Sequence, residues 1–480
     1  MNILFAASEM VPYASTGGLG EVMAGLPKIL AQDSCKHVYR VMPLYKCVWK
    51  GDFNLHDTGM RLNVPIGRDS KEAEVWVNKD VVPITYFIRN DEYFDRAELY
   101  SLPEQEYDDN DDRFIFFQKS IIGMIDALKL KIDIVHCNDW QTGLIPLYLR
   151  NGMDGKGRES SERTLLTIHN LAYQGIFSRS KFSNTNLPPE YFSTSSMEYY
   201  NNISFLKAGI TSADLITTVS KTYAQEIQSE KYGCGFHGIL SESQNKLNGI
   251  VNGIDYTVWD PATDRFLAEK YDRNDLKGKI TCKHDILSMM GLPIKPTRPL
   301  IGMITRLVEQ KGLDILAGAI PKLMEMNINF ILLGSGQQRY HKLCESWAMK
   351  WPKRVSVKLG YNVELSHKIE GGADLYMMPS KFEPCGLNQL YSLRYGTIPI
   401  AHATGGLEDT IEDVRKSGHK GTGFKFKEYT PDRLIETVQR ALFFYTNPSQ
   451  WKKIQKRAMK CDFSWEHSAK EYAKLYMQLL

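Results

Sequence analysis

Residues 375–395 read LYMMPSKFEPCGLNQLYSLRY, and HATGGLEDT follows at His402–Thr410. Leu375–Met378 is a short apolar run with the pattern of a buried parallel strand. Pro379 and Ser380 break it, and Gly386–Tyr395 has the residue types and spacing of a helix. A strand, a polar loop and a helix start make the ligand-facing corner of an open α/β sheet, so the fold class is α/β. One acidic residue, Glu383, stands in that corner between Phe382 and Pro384. Thr404–Gly406 offers a second glycine loop ahead of another helix, where bare backbone N–H groups suit an anion. Either loop alone reads equally well as a turn packed with glycine for steric reasons. The two side by side point to a phosphate-bearing ligand.

Working outward, 480 residues are long for one core and predict two domains. The composition, 43% hydrophobic and 24% charged, is that of an ordinary soluble globular chain. A formal net charge of +3, with no basic run to concentrate it, argues against a nucleic-acid binder. The eight cysteines are scattered without a CxxC pair, which suggests neither a zinc site nor a disulfide framework and fits a reducing compartment. NILFAAS at the start reads as a core strand rather than a signal peptide, and no apolar run approaches membrane-spanning length. The expected location is cytoplasmic; a processed plastid protein would look the same.

Asn2–Ala7 reads as a strand and Ser8–Gly20 as a loop ending in STGGLG. Glu21–Ala31 then reads as a helix with Glu21 in its first turn, where a carboxylate suits the dipole. TGGLGEV here and TGGLEDT at Thr404–Thr410 are near copies, which suggests two similarly built halves, each with a glycine loop. Tyr107–Arg113, YDDNDDR, invites a metal reading; the stronger reading is that Asp109 or Asn110 caps a helix beginning near Asp112. Ile132–His136, Thr164–Ile168 and Leu215–Val219 read as strands. His169, Asn170 and Tyr173 form a polar corner at the end of the second. GIVNGIDYTVWDPATD, with its Asn-Gly turn and Pro261, reads as the hinge. Leu300–Thr305 opens the second domain, with Arg306 and Lys311 just past its end, placed to neutralise a diphosphate. For either cation alone a structural salt bridge is the plainer reading. For Glu383 the plainer reading is a helix-start acid satisfied by the dipole; the functional one is a carboxylate holding sugar hydroxyls. The C-terminal SWEHSAKEYAKLYMQLL is an amphipathic helix expected to pack on one of the domains.

The chain resembles bacterial glycogen synthases and plant starch synthases over essentially its whole length. The resemblance rests on SEMVPYASTGGLGEV, HCNDWQTGL, TIHNLAYQGIF, VNGIDYTVWDP, TRLVEQKGLD, LGYN, SKFEPCGL and TGGLEDT, in the family's order. It implies a GT-B architecture, two facing Rossmann-like domains with a cleft between them. The implied boundaries are 1–252, joined by the final helix at 463–480, and 253–462. The implied reaction is retaining transfer of glucose from a nucleotide sugar, usually ADP-glucose in this family with UDP-glucose as the second candidate, to the non-reducing end of an α-1,4-glucan. No cofactor and no metal are implied. The partners implied are the nucleotide sugar and the glucan, with no nucleic acid and no membrane.

Carried over by position, Arg306 and Lys311 resemble the diphosphate clamp, and Tyr361 the base-stacking aromatic. Glu383, Asn252 and His169 would surround the glucose. Ser15, Gly18, Cys385, Gly386, Leu387, Thr404 and Gly405 would line the donor site, and Asp139, Gln141 and Tyr173 would lie on the acceptor side. The chain departs from the family's pattern where Ser15 replaces a lysine, Gln141 a histidine and Glu21 an aspartate. Two alternatives stay open: a glucan-binding or regulatory relative with weakened catalysis, which Ser15 and Gln141 favour, and a GT-B glucosyltransferase with another acceptor.

Overall fold

The computed structural model describes residues 1–102, 105–414 and 420–480. The chain forms two compact units, Met1–Gly253 with Trp465–Leu480, and Ile254–Ser464. The sequence-based boundaries lie within one or two residues of these crossings.

The first unit is built on a nine-stranded sheet. Its strands are β1 (Asn2–Ala6), β2 (His37–Pro43), β3 (His56–Ile66), β4 (Asp69–Asn78), β5 (Ile84–Arg89), β6 (Ile134–Asn138), β7 (Arg163–Ile168), β8 (Leu215–Thr218) and β9 (Leu247–Gly249). Their order is β9-β8-β7-β6-β1-β2-β5-β4-β3, parallel except for the antiparallel β5-β4-β3 edge. β1 lies between β2 and β6 with Ile3–Ala6 fully buried, as a strand covered on both faces requires. Because the strand order reverses at β1, the loops after β1 and β6 diverge and open a crevice at the carboxyl ends of the strands.

The second unit carries a six-stranded parallel sheet of β10 (Leu300–Leu307), β11 (Asn329–Gly336), β12 (Val355–Leu359), β13 (Leu375–Met378), β14 (Ile398–His402) and β15 (Phe424–Phe426). Its order, β12-β11-β10-β13-β14-β15, reverses at β10. β10 runs further than its apolar pattern predicts, through Leu307, because Arg306 and Leu307 continue the ladder against Ser335 and Gly336 of β11.

The C-terminal helix Trp465–Leu479 belongs to the core of the first unit. Trp465 wedges against two glycines: a Cβ on Gly25 would lie 1.9 Å from its Nε1, and one on Gly253 2.6 Å from its Cα. The Asn252–Gly253 pair forms no turn; its glycine is needed for that close approach. Further along the helix, the Tyr476 hydroxyl lies 2.7 Å from Nδ1 of buried His136 in β6.

The aspartate run also differs from its reading. The helix starts at Asn110, and Asp109, at the capping position, makes no cap hydrogen bond. Its carboxylate is held by both terminal nitrogens of Arg96, a stronger partner than a backbone amide. Asp111 and Asp112 pair with Lys181. Among the described residues no helix is long and apolar enough to cross a membrane.

Candidate active site

In the first unit the candidate residues gather at the carboxyl ends of β1, β6 and β7. Asp139 follows β6 with φ at +58°, a left-handed backbone rare for a residue other than glycine. That bend turns its carboxylate to the next strand end, where Oδ1 accepts the His169 backbone N–H at 2.7 Å and the Asn170 amide is also directed at it. Burial outweighs those donors and pushes the carboxyl up to about 7. Burial likewise holds the His169 imidazole down at about 3, so the ring is neutral at physiological pH. Its Nε2 lies 2.9 Å from Oδ1 of Asn138.

In the STGGLG loop the carboxylate of Glu9, just beyond β1, takes the amides of Thr16 and Gly17: Thr16 N–H donates at 2.5 Å, Gly17 N–H at 3.2 Å and the Thr16 hydroxyl at 2.7 Å. The Tyr100 hydroxyl donates to the same carboxylate at 2.9 Å. Glu9 is buried, and its charge adds to the upward push on Asp139. Ser15 is exposed and donates to Gly17 O at 3.0 Å; Gly18 is the exposed first residue of the helix Gly18–Leu30.

Asn252 and Gln141 are buried, and each has a side-chain carbonyl oxygen with no hydrogen-bond partner among the described residues. Such an acceptor costs about 1–3 kcal/mol if left unmade, so both are suited to a ligand hydroxyl. Tyr173 is half-exposed. Among the described residues no hydrogen bond links Asn252, Gln141 or Tyr173 to His169; only Asp139 and Asn138 bond to it directly.

In the second unit Arg306, Lys311, Glu383, Thr404 and Tyr361 lie at or just beyond the carboxyl ends of β10, β13, β14 and β12. Lys311 Nζ lies 2.5 Å from Oε2 of Glu383, and the Ser380 hydroxyl donates to the same oxygen at 2.9 Å. The other oxygen, Oε1, makes no hydrogen bond among the described residues. Glu383 is buried and precedes the helix Asn388–Tyr395 by five positions, so its partner is the lysine and not the helix dipole. Lys311 thus takes the structural salt bridge that was its plainer reading, with a residue expected to share its site. The Arg306 guanidinium is exposed and makes no hydrogen bond or ion pair among the described residues. Tyr361 is 88% exposed.

The two glycine corners of this unit are packed on each other. A Cβ on Gly405, whose φ is +45°, would lie 2.0 Å from Glu383 O; one on Gly406 would lie 2.2 Å from Cys385 O. Gly406 N–H is spent on the carbonyls of Glu383 and Pro384, and Thr404 N–H on His402 O. The expectation of bare amides at Thr404 and Gly406 is therefore corrected: these glycines serve close backbone approach. That approach fixes the main chain at Glu383 and buried Cys385; Gly386, with φ at +77°, and Leu387, at the cap of the helix Asn388–Tyr395, follow.

Sequence reading missed Glu9, Asn138 and Ser380. Each had the same signal, a polar residue within three positions of a strand's carboxyl end.

Comparison with known proteins bears on this geometry. Residues 2–242 match the family described as starch synthase catalytic domain, and residues 289–458 match glycosyl transferases group 1. A glycogen synthase of Anaeromyxobacter sp. (strain Fw109-5) is 42% identical over 481 residues, spanning 100% of this chain and 99% of that protein. Glycogen synthase 2 of Geobacter sulfurreducens is 41% identical, over 99% of this chain and 98% of its own. Among solved structures, the catalytic domain of starch synthase IV from Arabidopsis thaliana, bound to ADP and acarbose, superposes with a TM-score of 0.90. It is 32% identical and covers 100% of this chain and 99% of its own. A sucrose-phosphate synthase from Thermosynechococcus elongatus, 18% identical with a TM-score of 0.61, shares the fold.

Proposed function

The chain belongs to the glycogen synthase and starch synthase family of glycosyltransferases, with its GT-B architecture, and we propose how its residues carry out the transfer. The reaction is that of a glycogen or starch synthase, glucose moving from a nucleotide sugar to the end of an α-1,4-glucan. In our reading the donor is ADP-glucose, with UDP-glucose as the competitor. The observation that carries the reading is the Lys311–Glu383–Ser380 cluster together with Arg306, unpaired among the described residues, at the carboxyl end of the same parallel sheet.

Arg306 and Lys311 take the diphosphate. Lys311 then exchanges part of its contact with Glu383 for phosphate oxygens, and Glu383 is left to accept sugar hydroxyls, starting from Oε1, which is unbonded among the described residues. Tyr361 offers an exposed ring face for the base. In the first unit, taken by itself, neutral His169 and the Asn252 oxygen, unpartnered among the described residues, are read as sugar-binding groups, and Asp139, Gln141 and Tyr173 as glucan-binding ones.

Retention commonly uses a carboxylate nucleophile. Glu383 is tied to a lysine and a serine, and Asp139 accepts backbone amides, so neither is an unencumbered nucleophile. The mechanism that fits is attack on the face the nucleotide leaves, with the departing phosphate accepting the acceptor hydroxyl's proton. The protein then supplies position and positive charge. Arg306 and Lys311 supply that charge without a metal or other cofactor.

The test is transfer of radiolabelled glucose from ADP-glucose and UDP-glucose, with and without glycogen, in the presence of EDTA. Glycogen-dependent incorporation with EDTA present is expected. Incorporation from neither donor would favour a binding protein; activity restored only by a divalent cation would refute the metal-free reading.

A further inference from the structure

The two ring nitrogens of His169 have different surroundings. Nε2 faces Oδ1 of Asn138 at 2.9 Å, and Nδ1 has no hydrogen-bond partner among the described residues. The orientation of the Asn138 amide is not a free choice. Its Nδ2 lies 3.1 Å from Ala6 O and 3.2 Å from His136 O, and carbonyl oxygens only accept. The NH2 end must therefore face those carbonyls, which leaves Oδ1 to face the imidazole. Oδ1 also only accepts, so Nε2 must carry the ring proton, and Nδ1 presents a bare lone pair.

Asn138 is itself held on both sides. It is the buried last residue of β6, in register with Thr167 of β7. The Thr142 hydroxyl accepts its backbone N–H at 2.6 Å and donates to its carbonyl at 2.9 Å. The His169 main chain is fixed in turn by its bond to Asp139.

We propose that Asn138 is a positioning residue for glucosyl transfer: it locks His169 in the Nε2–H tautomer, so that Nδ1 accepts a hydrogen bond from a hydroxyl of the transferred sugar. This rests on the reading of His169 as a sugar-side residue. A ring in the other tautomer would present an N–H at Nδ1 and lose that acceptor. The titratable groups around the ring are Asp139, which bonds its backbone, Glu9, which acts on Asp139, and buried His136. The two nitrogens of His136 are taken by the Tyr476 and Thr167 hydroxyls, so it offers His169 no proton.

The full-length protein, labelled with ¹⁵N at histidine, allows a direct reading by long-range ¹H–¹⁵N spectra, the His169 signals being those lost in His169→Gln. The expected wild-type pattern is Nε2–H with a bare Nδ1, unchanged from pH 8 to pH 5. In Asn138→Asp a carboxylate faces Nε2–H and favours a second ring proton, so the ring should titrate within that range and kcat/KM should fall as it does. Asn138→Ala removes the lock without adding charge; its ring should show mixed tautomers and a roughly tenfold lower kcat/KM. An Nδ1–H or doubly protonated ring in wild type at pH 7 would overturn the proposal. So would loss of transfer in both variants with the His169 spectrum unchanged, an outcome that leaves the sugar-side reading of His169 intact. Altered tautomers with wild-type transfer would instead refute that reading, and the role of Asn138 in transfer with it.

Discussion

Glu383 accepts from both Lys311 and Ser380 at Oε2, while Oε1 makes no hydrogen bond among the described residues, so one carboxylate has an anchored oxygen and a second one to offer. A hydrogen bond to a charged group is worth about 1.5–3 kcal/mol. Losing the bonds to sugar and misplacing the lysine together should cost at least about a hundredfold in turnover. Glu383→Ala is therefore expected to abolish measurable transfer while the circular dichroism spectrum stays native; near-normal turnover would remove Glu383 from the site. Ser15 is the opposite case, an exposed side chain whose hydroxyl is used locally on Gly17 O. If position 15 lines the donor site as proposed, a lysine there would add one charge-assisted contact to the donor. Ser15→Lys should raise kcat/KM by roughly ten- to a hundredfold, and no gain with either nucleotide sugar would sink the idea. Asp139 sets a pH dependence. Burial raises its folded-state pKa from 3.8 to about 7, so the folded protein binds the proton more tightly than the unfolded chain. Its contribution to stability is full below about pH 4 and is lost as pH rises through 7. If the carboxylate accepts acceptor hydroxyls, kcat/KM should rise through about pH 7, and Asp139→Asn should remove that step.

At the scale of the element, each glycine loop is defined by what its backbone touches. The first is held by the Glu9 carboxylate, and the second is pressed against the Glu383–Cys385 main chain. Gly405→Ala places a methyl 2.0 Å from Glu383 O and strains a φ of +45°. It should destabilise the protein by about 1–3 kcal/mol, read as a lower urea midpoint, and should also depress kcat by moving Glu383. Unchanged stability and kcat would show that the corner can relax. The residue types TGGL announced a loop before a helix in both places. They did not reveal whether the amides were open, because the groups that occupy them come from other segments of the chain.

At the scale of the whole molecule, the chain crosses between units at Gly253–Ile254 and again at Ser464–Trp465, so its last helix completes the first unit's core. Tyr476→Phe leaves a nitrogen of buried His136 without its partner and should cost about 1–3 kcal/mol. Deletion of residues 465–480 removes Trp465 from its two glycines and should abolish soluble, folded protein. A stable, active truncated chain would contradict the assignment of that helix to the core. Much of this was legible in order along the chain. Apolar runs such as Asn2–Ala6 and Leu375–Met378 marked the parallel strands, since strands buried on both faces must be continuously apolar. The residues just past them marked the candidate site, since α/β sheets gather ligand residues at their carboxyl ends. The sequence by itself thus determined the fold class and the two-domain plan, and it named the candidates for the site. Only the tertiary structure decided their partners: Glu9 on the first glycine loop, Lys311 on Glu383, Arg96 on Asp109 and Asn138 on the His169 ring. Local pattern reports burial and periodicity, whereas a hydrogen bond between residues tens of positions apart depends on strand order and register, which no short stretch encodes.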